Sequence, residues 1–126
     1  MSLHVLLVED DDLLRGLTAR IVRSLGHEVY EVGNGPAAMS ALSGDTGFDV
    51  VFTDVKLGGA FDGMELARRA LEASGRLRVV LTSGDPSTFR TSDGLGPRVV
   101  TLAKPYRKDQ IKGLLEAMAE SSPPVP

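Results

Sequence analysis

The sequence contains no cysteine and no tryptophan, and aromatic residues account for only 5% of its 126 residues. Without cysteine the chain forms no disulfide, no thiolate zinc site, no iron–sulfur cluster and no cysteine nucleophile. No signal-peptide pattern is visible, since residues 1–4 lead directly into a strand-like run and then into acidic residues. We therefore expect a cytoplasmic protein.

Basic character and long hydrophobic runs are also lacking. The chain has 14 Lys and Arg against 17 Asp and Glu, a net charge of −3, whereas nucleic-acid binding requires a basic surface. The longest apolar runs, residues 5–8 and 79–81, are far shorter than the roughly 18 residues of a membrane span. We expect neither nucleic acid nor a membrane among the partners.

Strand-like and helix-like segments alternate along the chain. Strands are predicted at residues 3–8, 28–32, 48–53, 77–82 and 99–102. This alternation predicts an α/β fold with a parallel sheet and helices on both faces, whose ligands bind at the carboxyl ends of the strands. Residues 1–120 form one expected domain, and the proline-rich residues 121–126 are predicted to be a tail or linker.

Apolar residues at helical spacing mark the first and last helices. The first stripe consists of Leu13, Leu14, Leu17, Ile21, Val22 and Leu25, and the last of Ile111, Leu114, Leu115 and Met118. Asp12 is the predicted N-cap of the first helix. Residues 85–96 have weak periodicity, which predicts a short or poorly ordered helix.

Chemically active side chains follow four of the predicted strands. Glu9 and Asp10 follow the first strand, Asp54 ends the third, Thr82 the fourth and Lys104 the fifth. Each has an ordinary structural explanation when taken singly, such as helix capping or exposure to solvent. Because parallel strands end on the same edge of a sheet, their joint occurrence favours one shared site.

The residue types at this edge suit a hard cation and a phosphoryl group. Clustered carboxylates repel one another unless a cation neutralises them, and an oxygen-only set suits Mg²⁺, with Mn²⁺ as the other candidate. A carboxylate beside such a metal can attack phosphorus and form an acyl phosphate. Lys104 would then neutralise the incoming charge, and Thr82 would donate a hydrogen bond.

Five motifs resemble those of bacterial response-regulator receiver domains, the CheY-like family. They are Val8-Glu9-Asp10-Asp11, Val51-Phe52-Thr53-Asp54, Asp62-Gly63, Leu81-Thr82-Ser83-Gly84 and Lys104-Pro105-Tyr106. The resemblance covers residues 3–119 and implies a flavodoxin-like (βα)5 three-layer sandwich with strand order 2-1-3-4-5. The loop after Asp54 and residues 82–84 resemble those of receivers attached to hybrid sensor histidine kinases or standing beside them.

The resemblance implies a two-component signalling function with a specific acceptor. Asp54 would take a phosphoryl group from a phosphohistidine of a histidine kinase or a histidine phosphotransfer domain. Thr82 and Lys104 would contact that group, and the Lys104–Pro105 peptide bond would be cis. The domain would be no enzyme with a separate substrate, although it would assist its own phosphorylation and dephosphorylation.

The resemblance also implies a Mg²⁺ site and an output surface. Asp10 would bind the ion directly and Glu9 largely through water, while Asp54 and the backbone carbonyl of Lys56 would complete the protein ligands. Phosphorylation would change the face made by residues 85–96, the fifth strand and the last helix. An output domain or a second receiver would bind that face.

Several positions depart from the family pattern. The loop between Asp54 and Asp62 is one residue longer than usual, and Gly58 stands where proline is common. Thr101 stands where the family commonly has a Tyr or Phe that rotates inward on activation, so the usual Thr–aromatic switch is not expected. Phe89 is a candidate replacement for that aromatic residue.

Two alternatives remain open from the sequence. A haloacid-dehalogenase-like phosphatase would use Asp10 as its nucleophile, but Leu14 replaces the Thr or Val of that motif and the chain is short for such an enzyme. The second alternative is a pseudo-receiver that binds partners without phosphorylation. All the chemical groups of the receiver motif are present, so the altered loop is the main argument for it.

Overall fold

The computed structural model describes residues 2–44, 47–59 and 62–120. The elements in chain order are β1 (His4–Val8), α1 (Asp12–Ser24), β2 (Glu28–Val32), α2 (Gly35–Gly44), β3 (Val50–Asp54), α3 (Gly63–Ala73), β4 (Arg78–Ser83), a 3₁₀ helix (Pro86–Leu95), β5 (Val99–Ala103) and α4 (Lys108–Glu120). None of the described helices is long and apolar enough to cross a membrane. The predicted tail, residues 121–126, lies outside the described residues.

The five strands form one parallel sheet in the order β2-β1-β3-β4-β5, which confirms the predicted fold and strand order. The register pairs Val8 with Thr53 and Asp54 with Thr82. The carboxyl ends of the three central strands therefore lie side by side, and the residues that follow them share one edge.

Alternate residues of β1 face opposite sides of the sheet, as expected for a strand buried on both faces. Leu6 and Val8 belong to one core cluster, which includes residues of α2 and α3. Val5 and Leu7 belong to the other, which includes residues of α1 and α4. The fold is thus a three-layer α/β sandwich, and the apolar sheet rigidly supports its polar edge.

The apolar stripe predicted for α4 is confirmed, whereas the one predicted for α1 is only partly buried. Leu13 is 75% exposed and Leu17 is 48% exposed. The residues of α1 that are fully buried are Thr18, Ala19 and Val22. The fully buried residues of α1 are thus smaller ones, while Ile21 and Leu25 of the predicted stripe pack against the same core cluster and two large leucines face the solvent.

The start of α1 corrects the N-cap prediction. Asp11 is the N-cap, because its backbone is extended and its side chain accepts a hydrogen bond of 3.0 Å from the backbone N–H of Leu14. Asp12 is instead the first helical residue, and it pairs with Arg15 at 2.7 Å. Both are acidic groups near a helix N-terminus, so the sequence pattern alone did not separate them.

The segment with weak periodicity, residues 85–96, contains a 3₁₀ helix in place of the α-helix that would complete a regular fourth βα unit after β4. Asp85 starts it: its side chain accepts a hydrogen bond from the backbone N–H of Ser87 at 3.1 Å. Phe89 and Leu95 pack against the core cluster on the α2 and α3 side of the sheet. Few apolar anchors hold this segment, in agreement with its sequence pattern.

Candidate functional site

The carboxyl ends of β1, β3 and β5 bring one lysine between two carboxylates. Lys104 Nζ lies 3.1 Å from Glu9 Oε1 and 3.1 Å from Asp54 Oδ2. The side chains of Glu9 and Asp54 are 4% and 11% exposed, so both ion pairs are largely shielded from water. In the sequence, Glu9 lies 95 positions from Lys104 and Asp54 lies 50 positions from it. The parallel sheet brings the three residues together.

Asp10 completes a cluster of three carboxylates. One oxygen from each of Glu9, Asp10 and Asp54 lies within 4.8 Å of the other two. Asp10 is exposed, whereas Glu9 is buried, so the cluster opens to solvent on one side. Three convergent oxygen donors without His or Cys fit Mg²⁺, which also needs room for water and phosphoryl ligands.

Burial and charge act against each other in this cluster. Burial raises the pKa of Glu9 above its usual range, although hydrogen bonds from the Asp11 N–H and Lys104 oppose the rise. Burial would lower the pKa of Lys104, but its hydrogen bonds to Asp54 and Glu9 outweigh burial and raise it. Lys104 is therefore a stable ammonium at neutral pH and supplies fixed positive charge to the site.

Thr82 lies beside Asp54 in the register of β3 and β4 and is buried. Its hydroxyl is 3.5 Å from the backbone carbonyl of Thr53, a long and weak hydrogen bond. The backbone carbonyl of Thr82 accepts a bond of 2.8 Å from the Val55 N–H. The backbone of Thr82 is thus fixed, while its hydroxyl is only weakly held.

Helix α3 begins against the end of β3. Asp62 caps the helix by accepting a hydrogen bond of 3.0 Å from the Glu65 N–H. The Gly63 N–H donates to the Val55 carbonyl at 2.7 Å, and a Cβ at Gly63 would lie 1.9 Å from the backbone oxygen of Asp54. The Asp-Gly motif therefore allows the backbone to pack directly behind Asp54.

The loop after β3 carries the positions that depart from the family pattern. A Cβ at Gly58 would lie 3.9 Å from Asp10 Oδ2, so this glycine lies beside the carboxylate cluster. Lys56 is exposed, and the role of its carbonyl stays a prediction. Residues 60 and 61 of this loop lie outside the described residues.

A shallow cavity of about 450 Å³ opens beside the cluster, lined by Leu14, Gly84, Lys104, Pro105 and Tyr106. The Lys104–Pro105 peptide bond is cis, which confirms that expectation. The Tyr106 hydroxyl lies 2.7 Å from Thr18 Oγ1, so this loop is tied to α1. Thr101 is exposed, and no inward aromatic ring occupies its position.

The structure thus brings Glu9, Asp10, Asp54 and Lys104 together, with Thr82 adjacent. Sequence reasoning missed Arg15, whose Nη1 donates a hydrogen bond of 2.8 Å to the Glu9 carbonyl. The only sequence signal for Arg15 is its spacing of three residues from Asp12, which indicates an ordinary surface ion pair. Its contact with Glu9 depends on how the loop after β1 folds.

A parallel sheet covered on both faces, with clustered carboxylates and a lysine at its carboxyl edge, defines a flavodoxin-like α/β protein with an acidic site. The sequence profile of the response regulator receiver domain matches residues 5–116. The chain therefore belongs to the response regulator receiver domain family of two-component signalling proteins. Members of this family are phosphoacceptor signalling domains that bind Mg²⁺ in an acidic pocket, so the family supports the receiver interpretation over both alternatives.

Individual relatives agree with this assignment. The chain is 30% identical to the response regulator receiver protein CpdR of Brucella abortus, and the match covers 91% of this chain and 95% of CpdR. Two other curated relatives are longer proteins, of which the chain spans 10% and 48%.

Solved structures give the same result. A response regulator receiver protein from Sinorhizobium medicae superposes with a TM-score of 0.86 at 25% identity, covering 95% of this chain and 96% of that one. The receiver domain of the hybrid histidine kinase CckA superposes with a TM-score of 0.76 at 28% identity, covering 93% and 99%. A hybrid-kinase receiver is thus among the similar structures, while the resemblance of the loop after Asp54 and of residues 82–84 to such receivers stays a prediction.

Proposed function

We propose that Asp54 is the residue of this receiver that accepts the phosphoryl group, and that a phosphohistidine on a kinase or phosphotransfer partner donates it. The observation that carries this proposal is the position of Lys104 Nζ, 3.1 Å from both Asp54 and Glu9. A carboxylate held by a fixed ammonium at an opening to solvent is available to a phosphoryl donor, while its negative charge is partly offset.

The bonds that form and break belong to the chain and its partner alone. An oxygen of the Asp54 carboxylate attacks phosphorus, and the bond between phosphorus and the partner's histidine nitrogen breaks. The electron pair returns to the imidazole, so no oxidant or reductant takes part. Lys104 stabilises the charge that collects on the phosphoryl oxygens, and the weakly held hydroxyl of Thr82 reorients to donate a hydrogen bond to one of them.

The carboxylate cluster is the proposed Mg²⁺ site. Asp10 and Asp54 are the proposed direct ligands, Glu9 acts through water, and the Lys56 carbonyl completes the protein donors. The ion supplies positive charge that offsets the charge of the phosphoryl group. Mn²⁺ suits the same oxygen donors.

Signalling then depends on binding surfaces, with no separate substrate converted by this domain. The proposed output surface consists of the 3₁₀ helix, β5 and α4, where an output domain or a second receiver binds. The Ser83 hydroxyl supports this proposal, because it bonds to both the carbonyl and the N–H of Asp85, at 3.1 and 3.0 Å. A shift of Thr82 toward a phosphoryl group would therefore pull on the start of the 3₁₀ helix.

Acetyl phosphate and Mg²⁺ provide the test, with the mass of the intact chain as the readout. The wild-type chain should gain one phosphoryl group, the Asp54→Ala variant none, and the Asp10→Asn variant should react more slowly. Asp109→Asn is the matched control, since Asp109 is an exposed carboxylate on α4 and its loss should change nothing. Labelling that survives Asp54→Ala and disappears in Asp10→Asn would instead support the phosphatase alternative.

A further inference from the structure

We propose that Arg15 is a positioning residue for the cation site: it fixes the peptide between Glu9 and Asp10 and thereby raises Mg²⁺ affinity without touching the ion. This inference rests on the proposed Mg²⁺ site and adds to it a residue outside the carboxylate cluster. Arg15 lies on the first turn of α1, and its side chain is 21% exposed.

The backbone of Glu9 is held from both sides. Its N–H donates to the Val32 carbonyl at 3.2 Å, and its carbonyl accepts a hydrogen bond of 2.8 Å from Arg15 Nη1. That carbonyl belongs to the peptide plane that leads into Asp10. A rotation of the plane would therefore move Asp10, the exposed and least supported member of the carboxylate cluster.

Two carboxylates flank the guanidinium. Its Nη2 lies 2.7 Å from Asp12 Oδ1, and its Nε lies 4.0 Å from Glu31 Oε1. Glu31 in turn pairs with Arg23 at 3.1 Å. The pair with Asp12 is exposed and contributes little, and the 4.0 Å contact with Glu31 is too long for a hydrogen bond, so the two carboxylates mainly offset the charge of the guanidinium.

Gly33 leaves the space that the guanidinium occupies. A Cβ at Gly33 would lie 3.3 Å from Arg15 Nη1. This contact is tight, because the same nitrogen must keep its position to donate a hydrogen bond to the Glu9 carbonyl. The absence of a side chain at Gly33, just after β2, thus leaves room for the Arg15 guanidinium beside the loop that carries Glu9.

Charge and position predict opposite effects for Arg15. As a nearby positive charge, Arg15 would repel Mg²⁺, and its removal would tighten binding. As a positioning residue, it keeps Asp10 directed toward the cluster, and its removal would weaken binding. Because Asp12 and Glu31 offset its charge, the positional effect should dominate.

The test is a titration of the purified chain with Mg²⁺, followed by the NMR shifts of backbone amides. Arg15→Met should raise the dissociation constant for Mg²⁺ about tenfold, the low end of what indirect metal-site contacts contribute. Arg15→Lys should lie between wild type and Arg15→Met, since one ammonium reaches the Glu9 carbonyl but cannot also hold both carboxylates.

Arg23→Met is the control, because it removes the outer ion pair with Glu31 and leaves the bond to the Glu9 carbonyl intact; its Mg²⁺ affinity should stay within about twofold of wild type. The rate of labelling by acetyl phosphate should recover in Arg15→Met at saturating Mg²⁺.

If Arg15→Met bound Mg²⁺ as tightly as wild type or more tightly, the proposed role of Arg15 would be wrong, but the proposed metal site would stand. A wild-type chain that shows no Mg²⁺-dependent shifts would overturn the metal site together with this inference.

Discussion

Gly63 illustrates how a single residue supports the site without carrying its chemistry. Replacing Gly63 with alanine would place a Cβ 1.9 Å from the backbone oxygen of Asp54 and 2.8 Å from its carbonyl carbon, so β3 and α3 must separate. We expect the Gly63→Ala variant to lose about 3 kcal/mol of unfolding free energy, the upper part of the range for overpacking. Urea unfolding followed by circular dichroism measures this loss.

Gly113 provides the matched control on α4. A Cβ there meets nothing within 4 Å, and alanine favours a helix interior over glycine, so Gly113→Ala should gain about 0.5–1 kcal/mol. Equal effects of the two substitutions would contradict the close packing behind Asp54.

His27 makes stability depend on pH. Its Nδ1 accepts a hydrogen bond of 3.0 Å from the Leu3 N–H, and burial lowers its pKa below the usual value. The folded state therefore takes up the imidazole proton at a lower pH than the unfolded state does. Stability contributed by neutral His27 is complete above about pH 6.5 and is lost as the pH falls from there through the lowered pKa.

The measurement is the unfolding free energy of the wild-type chain and of His27→Asn between pH 7.5 and about pH 5. Asparagine keeps an acceptor for the Leu3 N–H but does not titrate, so the variant should lose less stability on acidification. Parallel curves for the two proteins would contradict the assignment to His27.

The grouping of the main site side chains at one edge of the sheet could be predicted from the sequence, while their roles in phosphorylation stay proposals. Asp54, Thr82 and Lys104 each end or follow a recognisable strand, and parallel strands end on one edge. The contact between Arg15 and the Glu9 carbonyl could not be predicted. It depends on the backbone dihedral angles of the loop between β1 and α1, and the hydrophobic pattern of the sequence does not determine those angles. The N-cap was misplaced by one residue for the same reason: Asp11 and Asp12 are chemically identical, and only backbone geometry separates them.

At the scale of the element, α1 shows where hydrophobic pattern and burial diverge. Leu13 and Leu17 lie four residues apart on the exposed side of the helix, and α1 begins directly after the acidic loop. The pattern predicted a helix correctly, but it could not show that Thr18 and Ala19 face the core while two leucines face the solvent. If the proposed phosphohistidine donor docks beside the acidic loop, these leucines are expected to contact it.

A double variant tests this surface. Leu13→Ser combined with Leu17→Ser should slow phosphoryl transfer from a histidine phosphotransfer protein about tenfold, the effect of losing about 1.4 kcal/mol of binding free energy. Labelling by acetyl phosphate should be unchanged, because that small donor needs no docking surface.

Tyr30→Ser is the control for general surface effects, since Tyr30 is 52% exposed on the edge strand β2. Its transfer rate should equal that of wild type. If the double variant slowed transfer from both donors, or if Tyr30→Ser slowed transfer as much as the leucine pair, α1 would not be the docking surface.

The 3₁₀ helix is the element that the sequence described least well. Its weak periodicity predicted a short or poorly ordered helix, and the structure has a 3₁₀ helix at Pro86–Leu95. The hydrogen bonds between Ser83 and Asp85 could not be predicted, because short polar side chains leave no periodic signal in the sequence. With Thr101 exposed, we expect these bonds to link Thr82 to the proposed output surface without a rotating aromatic residue.

At the scale of the whole molecule, the sheet separates chemistry from stability. Both of its faces are covered by apolar residues, and the charged cluster lies only at the carboxyl edge. The fold depends on the burial of these apolar faces and not on the charged edge. It could therefore be predicted from the alternation of strand-like and helix-like apolar segments in the sequence. The strand order 2-1-3-4-5 came from family resemblance, because apolar strands of similar length carry no signal for which neighbours pair.

The central claim is that Asp54 alone carries the phosphoryl group. The most direct measurement treats the chain with acetyl phosphate and Mg²⁺, reduces it with borohydride and sequences its peptides by mass spectrometry, since reduction converts a phosphorylated aspartate to homoserine. We expect homoserine at position 54 and aspartate at position 10. Homoserine at position 10, or a phosphorylated chain with unmodified aspartate at position 54, would contradict it.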